Sequence, residues 1–477
     1  MDVNFLLTQS GAEAQLIGRK GADIPTRAAL IGVGQFGRTL LMQSRRIPLL
    51  DLRVLCDIDL DRTEAVCVSA GFDAADVARV TSVAEGERAL DAGKIVITDD
   101  AEIAIKLPID VLVEATGNGA VGAANVALAI EEGRHIALVN KETDSVVGPL
   151  LAHQARAAGL VLSQVDGDQP SLLLGLISRA RALGFEIACA GKASEHDFVW
   201  NPETGMVRGE GGLDISAPAP AEIWDGGGRP FPELIAWRSS VLAAIPQRTP
   251  PDYCEMCLVS NASGLTPDRP QMHAAVARMT ELPDIFRGGE HGGVFAKDGH
   301  LDIFNCLRRE DEISAAGGVF AILTAPDLET GELFRAKGIP VSRDARHVLV
   351  YNPTHLLGAE APLSILVPHR LGLSTGAQRV APVSDLTMRA TRDMKAGERL
   401  TQSGSHHKVD GIAPELSPNM VLTEDAAVPY FMAVDLTLAR DVKAGDAVTV
   451  GDVVKPEASS LWAMRAEQDA MKDALSL

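Results

Sequence analysis

The chain reads as an α/β protein: a Rossmann-type doubly wound parallel sheet, then an α+β domain, then a small all-β domain. Three observations predict this. From Arg27 onward, short apolar runs alternate with amphipathic stretches, the rhythm of right-handed βαβ units. The first run leads directly into Gly32-Val33-Gly34-Gln35-Phe36-Gly37, a glycine-rich turn that opens a helical segment. The tail contains a near-duplicate, Arg392-Asp393-Met394-Lys395-Ala396-Gly397-Glu398 and Arg440-Asp441-Val442-Lys443-Ala444-Gly445-Asp446. Each Lys-Ala-Gly-acid core is a turn between strand-like residues.

In order, residues 1–26 read as a short helical arm and 27–169 as the nucleotide-type domain. Strands are expected at Ala28–Gly32, Leu52–Cys56, Lys94–Thr98, Val111–Ala115, His135–Val139 and Leu160–Gln164. Helices are expected at Gln35–Arg46, Leu60–Ala70, Ala120–Glu132 and Val147–Ala158. Near Pro170 the rhythm changes. Residues 170–380 are expected to form a substrate and oligomerisation domain, with Gly205–Arg229 as a long loop and strands such as His300–Asn305 and Gly318–Thr324. Its several apolar strands suggest a homo-oligomer. Residues 381–477 form the all-β tail.

At 477 residues the chain is too long for one ordinary core, which is why several domains are expected. No apolar run approaches the ~20 residues that cross a bilayer. The opening Met1–Leu7 lacks a basic n-region, so a cytoplasmic protein is expected. A net charge of −20 repels phosphate backbones and anionic membranes, arguing against nucleic-acid or membrane partners. A small anionic substrate would need a local cluster of Lys or Arg. The six cysteines are too sparse for a disulfide framework. Cys254-x-x-Cys257 lacks a second pair at zinc-finger spacing, and reads as two thiols near one helix face.

The glycine turn matches the dinucleotide fingerprint in its required strand-to-helix context. Gly32 permits the tight turn, Gly34 the approach of a pyrophosphate, and Gly37 close helix packing. With Gln35 and Phe36 they place an anion at a helix N-terminus. The next strand ends at Asp57, about twenty residues on. Asp57 is expected to accept the ribose hydroxyls and to favour NAD; Arg62 is the nearby cation that keeps NADP open. Thr116, Gly117 and Asn118, after Glu114-Ala115, end the next core strand, where the nicotinamide half is expected. A turn cap is the competing reading for these. Asn140 and Lys141 end the following strand and join the cofactor set.

The substrate side rests on strand-end polar residues. Lys141 and Lys192 both end apolar strands, where partial desolvation is expected to lower a lysine's pKa and let it shuttle a proton. Lys192 is assigned to the substrate oxygen and Lys141 to positioning. Asp166 and Asp168 flank one glycine and offer hard oxygens to Mg²⁺ or Mn²⁺, with help from Glu195 or His196. For Asp168, which precedes Pro170, a helix cap is the alternative. His196, His291 and His355 are further candidates for acid–base or ligand contact, each weighed against an incidental loop position.

The region Arg27–Leu183 resembles homoserine dehydrogenases and related oxidoreductases in its fingerprint, its Glu-Ala-Thr-Gly strand end and the following Asn-Lys. Val139-Asn140-Lys141-Glu142-Thr143 and Val165-Asp166-Gly167-Asp168-Gln169 are similar to two lines of 1-deoxy-D-xylulose 5-phosphate reductoisomerase. In that family the second line supplies carboxylates to a divalent metal. The wider resemblance is to the DXR-like family, carried by Gly167-Asp168-Gln169-Pro170, Gly191-Lys192, Gly292-Gly293-Val294 and His355-Leu356-Leu357-Gly358. The duplicated tail resembles the SAF domain. The DXR-like resemblance implies NADPH-dependent conversion of 1-deoxy-D-xylulose 5-phosphate to 2-C-methyl-D-erythritol 4-phosphate. Lys192, Lys141 and Asp168 are the expected catalytic residues. Two alternatives stand beside it: a metal-independent dehydrogenase of a hydroxy acid, polyol or homoserine, and a non-catalytic dinucleotide-binding assembly protein.

Overall fold

A computed structural model describes residues 24–217, 219–404 and 407–476; most of the expected N-terminal arm lies outside the described residues. The chain forms two compact units. One takes residues up to 171 with 356–382 and 456–477, and the other takes 172–355 with 383–455.

In the first unit, seven strands among the described residues form one parallel sheet. They are β1 (Thr26–Ile31), β2 (Leu50–Cys56), β3 (Val77–Arg79), β4 (Ile95–Thr98), β5 (Val111–Glu114), β6 (His135–Leu138) and β7 (Leu162–Gln164). Their order is β3-β4-β2-β1-β5-β6-β7. Helices α1 (Gln35–Ser44), α2 (Leu60–Ser69), α3 (Val83–Asp91), α4 (Ala101–Lys106), α5 (Gly119–Glu131), α6 (Lys141–Ala157) and α7 (Gln169–Ala182) follow successive strands. The chain leaves β1 toward β2 and returns to β5 on its other side, so the strand order reverses between β1 and β5. The register aligns the carboxyl ends. Ile31 pairs with Cys56 and Glu114, Glu114 with Leu138, and Leu138 with Gln164. Residues just beyond these positions therefore share one edge. Leu30, Leu55, Ile97 and Val113 are fully buried, as a sheet covered on both faces requires.

Two later segments complete this unit. Helix Pro362–Leu371 places Ile365, Leu366 and Val367 in the same core as Leu30 and Val113. The C-terminal helix Ser460–Ala470 meets α6 at Pro149. A proline inside a helix cannot donate and disturbs the ladder around it. Here the Gln468 amide accepts from the Leu150 N–H at 3.1 Å and donates to the Val146 carbonyl at 3.0 Å, repairing both groups. The sequence expects a domain boundary near 169 and a separate tail, whereas both late segments pack into the first unit. It also starts α6 at Val147. The helix begins at Lys141 because the Asn140 side chain accepts the Thr143 N–H at 3.0 Å.

The second unit is built on a mixed sheet ordered β11-β10-β9-β14-β8-β15-β16. These are β8 (Ile187–Ala193), β9 (Phe198–Trp200), β10 (Met206–Arg208), β11 (Asp214–Ser216), β14 (His300–Arg308), β15 (Val319–Thr324) and β16 (His347–Asn352). Strands β12 (Thr266–Pro267) and β13 (Ala275–Ala277) also pair with β14. Phe286, Phe295, Phe304 and Phe320 fill its core in stacked and edge contacts. The expected loop Gly205–Arg229 instead contains β10, β11 and a short helix, because Val207 and Ile223 have an apolar cluster to enter.

The tail's repeat becomes a reciprocal clasp. Lys395 pairs with Asp441 at 2.7 Å and Lys443 with Asp393 at 2.9 Å. Each aspartate also accepts the backbone N–H of the opposite copy, Ala396 or Ala444, at 3.0 Å. Met394 and Val442 exchange both backbone hydrogen bonds between the copies. Each copy thus supplies the acceptor that the other lacks.

One buried carboxyl in the first unit sets a pH dependence. Asp144 is fully enclosed in α6, and Gly148 leaves room for it; a Cβ there would lie 1.8 Å from its Oδ1. Burial pushes Asp144 up to about 6, opposed by the hydrogen bond from Gln164. The folded state therefore holds a proton that the unfolded chain has already released. Stability is lost as pH rises from about 4 through about 6, and stays reduced above that. Asp144→Asn is expected to gain up to about 3 kcal/mol near pH 8 and little near pH 4, read by urea denaturation at both.

Candidate functional site at the carboxyl edge of the parallel sheet

The glycine turn between β1 and α1 is shaped by contact on two sides and by space on the third. Gly32 has φ +95°, and a Cβ there would lie 2.4 Å from the Ala115 carbonyl oxygen. A Cβ at Gly37 would lie 2.5 Å from the Gly32 carbonyl oxygen. Nothing stands within 4 Å of a Cβ at Gly34, which caps α1 without any side-chain hydrogen bond. An open backbone face at an uncapped helix N-terminus is what a pyrophosphate requires. These residues fit a dinucleotide.

Asp57 is more committed than the sequence suggests. Its Oδ2 accepts the Val33 N–H at 2.7 Å, and its Oδ1 accepts the Asp59 N–H at 3.0 Å. Arg62 Nη2 donates to both oxygens at 2.9 Å. The carboxylate pins the glycine turn to the end of β2 before any ribose arrives. Beside it, Ile58 is 94% exposed.

The expected nicotinamide contacts form a frame. Glu114 is buried at the end of β5. Burial pushes its carboxyl up, opposed by hydrogen bonds that include one from the Thr116 hydroxyl at 2.6 Å. Asn140 Nδ2 donates to Thr116 Oγ1 and to the Asn118 carbonyl, both at 3.0 Å. Asn118 caps α5 through the N–H groups of Ala120 and Val121. Asn118 and Asn140 thus act first as caps and braces, and Asn140 is buried. The exposed Gly117, with φ +66°, forms the tip of the loop they hold.

On the next two strand ends, Lys141 Nζ stands 3.7 Å from Asp168 Oδ2. Their side chains are about a fifth exposed, so the pair meets solvent. Asp166 differs. It is buried, its carboxylate accepts the Ser171 hydroxyl, and its N–H donates to Ser364 Oγ at 2.8 Å. Each of the two expected metal ligands thus has a partner within the chain. Among the described residues, no three His, Cys, Asp or Glu side chains are grouped to hold a metal ion.

The second unit holds Lys192. It sits on β8 between Ile303 of β14 and Val319 of β15. The preceding Gly191 is required by crowding, since a Cβ there would lie 2.0 Å from the Asp302 carbonyl oxygen. Lys192 is fully buried, 2.8 Å from Asp252 Oδ1 and paired with Glu255. Asp252 Oδ2 in turn accepts the hydroxyls of Thr249 at 2.7 Å and Ser194 at 3.0 Å. Burial alone would lower this lysine, but the two carboxylates outweigh it and push it well up. The expectation of a lowered, proton-shuttling Lys192 is thereby corrected: the two carboxylates shift it up, not down. Sequence reasoning missed Asp252 and Glu255, on helix α8 (Pro250–Ser263). The available signal was two acids one turn apart among Tyr253, Cys254, Met256 and Cys257, which in a buried helix demand a cation.

The remaining candidates serve locally. His196 lies 3.3 Å from Glu210, and His291 3.5 Å from Glu290. His355 donates to the Gly317 carbonyl at 2.9 Å. Cys254 and Cys257 are buried free thiols, with Cys257 donating to the Ser384 carbonyl. Among the described residues, no helix is long and apolar enough to cross a membrane.

Residues 250–361 match the family described as oxidoreductase DRL, catalytic domain. That segment begins with α8, and so contains Asp252 and Glu255 as well as the lines at 292–294 and 355–358. No curated protein matches the chain by sequence. Similar solved structures include a DOX-P reductoisomerase with fosmidomycin and magnesium, 15% identical over 50% of this chain and 58% of that one, with TM-score 0.30. Another is the WlbA dehydrogenase from Bordetella pertussis with NADH and UDP-GlcNAcA, 15% identical over 37% and 49%, TM-score 0.26. A third is an oxidoreductase from Agrobacterium radiobacter with NAD+, L-tartaric acid and magnesium, 14% identical over 36% and 45%, TM-score 0.26. The chain spans about half the length of these structures, and the likeness is one of fold over part of each.

The glycine geometry separates folding from binding. Gly34→Ala is expected to melt with the wild type yet weaken dinucleotide binding by about tenfold or more, read by the fluorescence of reduced nicotinamide. Gly32→Ala is expected to destabilise the fold itself. Equal coenzyme affinity in Gly34→Ala would remove the turn as the pyrophosphate cradle. Lys192→Met removes the buried ammonium that pairs with Asp252 and Glu255, and is expected to cost about 3–5 kcal/mol in urea denaturation.

Proposed function

We propose that the chain is an NAD(P)-dependent oxidoreductase acting on a small polar keto compound. Its first candidate reaction is the conversion of 1-deoxy-D-xylulose 5-phosphate to 2-C-methyl-D-erythritol 4-phosphate. The observation that carries the class is the open Gly34 backbone at the head of α1, set where the strand order reverses. The oxidoreductase segment at 250–361 supports it, and weighs against a purely non-catalytic assembly role.

A bound nicotinamide supplies the two-electron equivalent. The chain's own residues supply position and protons. Gly34 and the first turn of α1 hold the anionic bridge, while Asp57 fixes the turn. Lys141 is the proton donor assigned to the substrate oxygen. It lies 3.7 Å from Asp168, partly exposed, and stands on the edge that carries the glycine turn. Asp168 orients it. Lys192 supplies an ammonium inside its own unit, paired with Asp252 and Glu255. This reverses the division of labour expected for the two lysines.

A second reading, a metal-independent dehydrogenase of a hydroxy acid, polyol or homoserine, is favoured by the engagement of Asp166 with Ser171 and of Asp168 with Lys141. A coenzyme-absorbance screen with 1-deoxy-D-xylulose 5-phosphate, homoserine, polyols and sugar acids, with Mn²⁺ or with EDTA, separates the two. Turnover of the phosphorylated keto-sugar supports the first; turnover of a hydroxy compound undiminished by EDTA supports the second. With either substrate, Lys141→Met is expected to lower kcat by about a hundredfold while coenzyme affinity holds. Near wild-type turnover in that variant would take Lys141 out of the chemistry.

A further inference from the structure

The end of β2 carries an ion pair whose geometry bears on which coenzyme the protein accepts. Asp57 is 8% exposed and gripped from behind by the N–H groups of Val33 and Asp59, so it cannot turn away without releasing the glycine turn. Arg62 is its exposed partner. The arginine side chain is 53% exposed and bonds Asp57 through Nη2. Among the described residues, its Nε and Nη1 have no acceptor. The other acids on α2 do not compete for it, because Arg79 pairs with Asp61 at 2.6 Å and with Glu64 at 2.7 Å.

We propose that Asp57 and Arg62 form a two-position latch that lets the protein use both NAD and NADP; this rests on the dinucleotide reading of the glycine turn. With the latch closed, Arg62 neutralises Asp57 and presents its remaining guanidinium N–H groups to a 2′-phosphate. With it open, the long, half-exposed arginine swings into solvent and frees a lone pair on each Asp57 oxygen for the ribose hydroxyls. A carboxylate alone at this point would repel the phosphate, and an arginine alone would select it. A fixed acid with a detachable cation does neither. The exchange is cheap because an ion pair with one half-exposed partner is held weakly.

The test is a fluorescence titration of NADH and NADPH against the full chain and its Arg62→Ala variant, with melting curves for both proteins. The wild type is expected to bind the two coenzymes with Kd values within about tenfold of each other. Arg62→Ala is expected to melt as the wild type does, to lose about tenfold or more in NADPH affinity, and to keep or improve NADH affinity. Added salt is expected to weaken NADPH more than NADH in the wild type, and equally in the variant. The latch is overturned if Arg62→Ala shifts both coenzymes alike or neither. Binding of neither coenzyme by the folded wild type would overturn the dinucleotide reading, and the latch with it.

Discussion

The hydrogen bond from the Val33 N–H to the Asp57 carboxylate joins the two strands on which the candidate site is built. The register brings Ile31 level with Cys56, so the first residues beyond each strand end side by side. A glycine turn with φ +95° cannot close its own backbone hydrogen bonds in a regular way, and it needs an acceptor from outside. Asp57 supplies one, and its second oxygen secures the Asp59 N–H that begins the next helix. The opposite side of the turn is set by sterics, with the Ala115 carbonyl against Gly32. One carboxylate therefore serves structure from behind and faces Arg62 in front. The fold and the proposed coenzyme site share these atoms.

Two lysines show how little a strand-end position decides by itself. Lys141 and Lys192 both close apolar stretches, and in isolation both would be expected to lose some basicity through desolvation. Lys192 goes completely inside, where one carboxylate would suffice for neutrality and two are present. The surplus negative charge is shared out through the hydroxyls of Thr249 and Ser194. The two carboxylates favour the charged form of the lysine over the neutral one. Lys141 keeps one carboxylate at 3.7 Å and some contact with water.

The parallel sheet was legible because its cues are local. Continuous apolar runs such as Ile95–Thr98 and Val111–Glu114, punctuated by glycines and acids, carry their own period. Strand β3 was not, being three residues long, with Val77 and Ala78 only half-buried. Nor was the return of helices Pro362–Leu371 and Ser460–Ala470 to the first unit. Those contacts join residues hundreds of positions apart, and the cue for one of them, a proline inside a helix, names a need without naming Gln468 as the answer. The site divides in the same way. Glycines that are sterically required are visible in the sequence, because other residues cannot replace them. Asn118 and Asn140 were not separable into cap or ligand, since a capping amide and a binding amide present identical atoms. Asp252 and Glu255 left a trace only as charge in an apolar helix.

The same distinction governs Asp166 and Asp168. An Asp-Gly-Asp line offers up to four carboxylate oxygens, and a hard dication needs about six donors in a near-octahedral shell. The glycine between them has φ +85°. Asp166 spends an oxygen on the Ser171 hydroxyl within the sheet's own packing. Asp168 faces the Lys141 ammonium. A dication bound at Asp168 would meet that ammonium at close range, two positive charges competing for one carboxylate. The work a metal does in such sites, stabilising negative charge that develops on a substrate oxygen, is work a positioned ammonium also does. At this strand end the positive charge is already covalently attached to the chain.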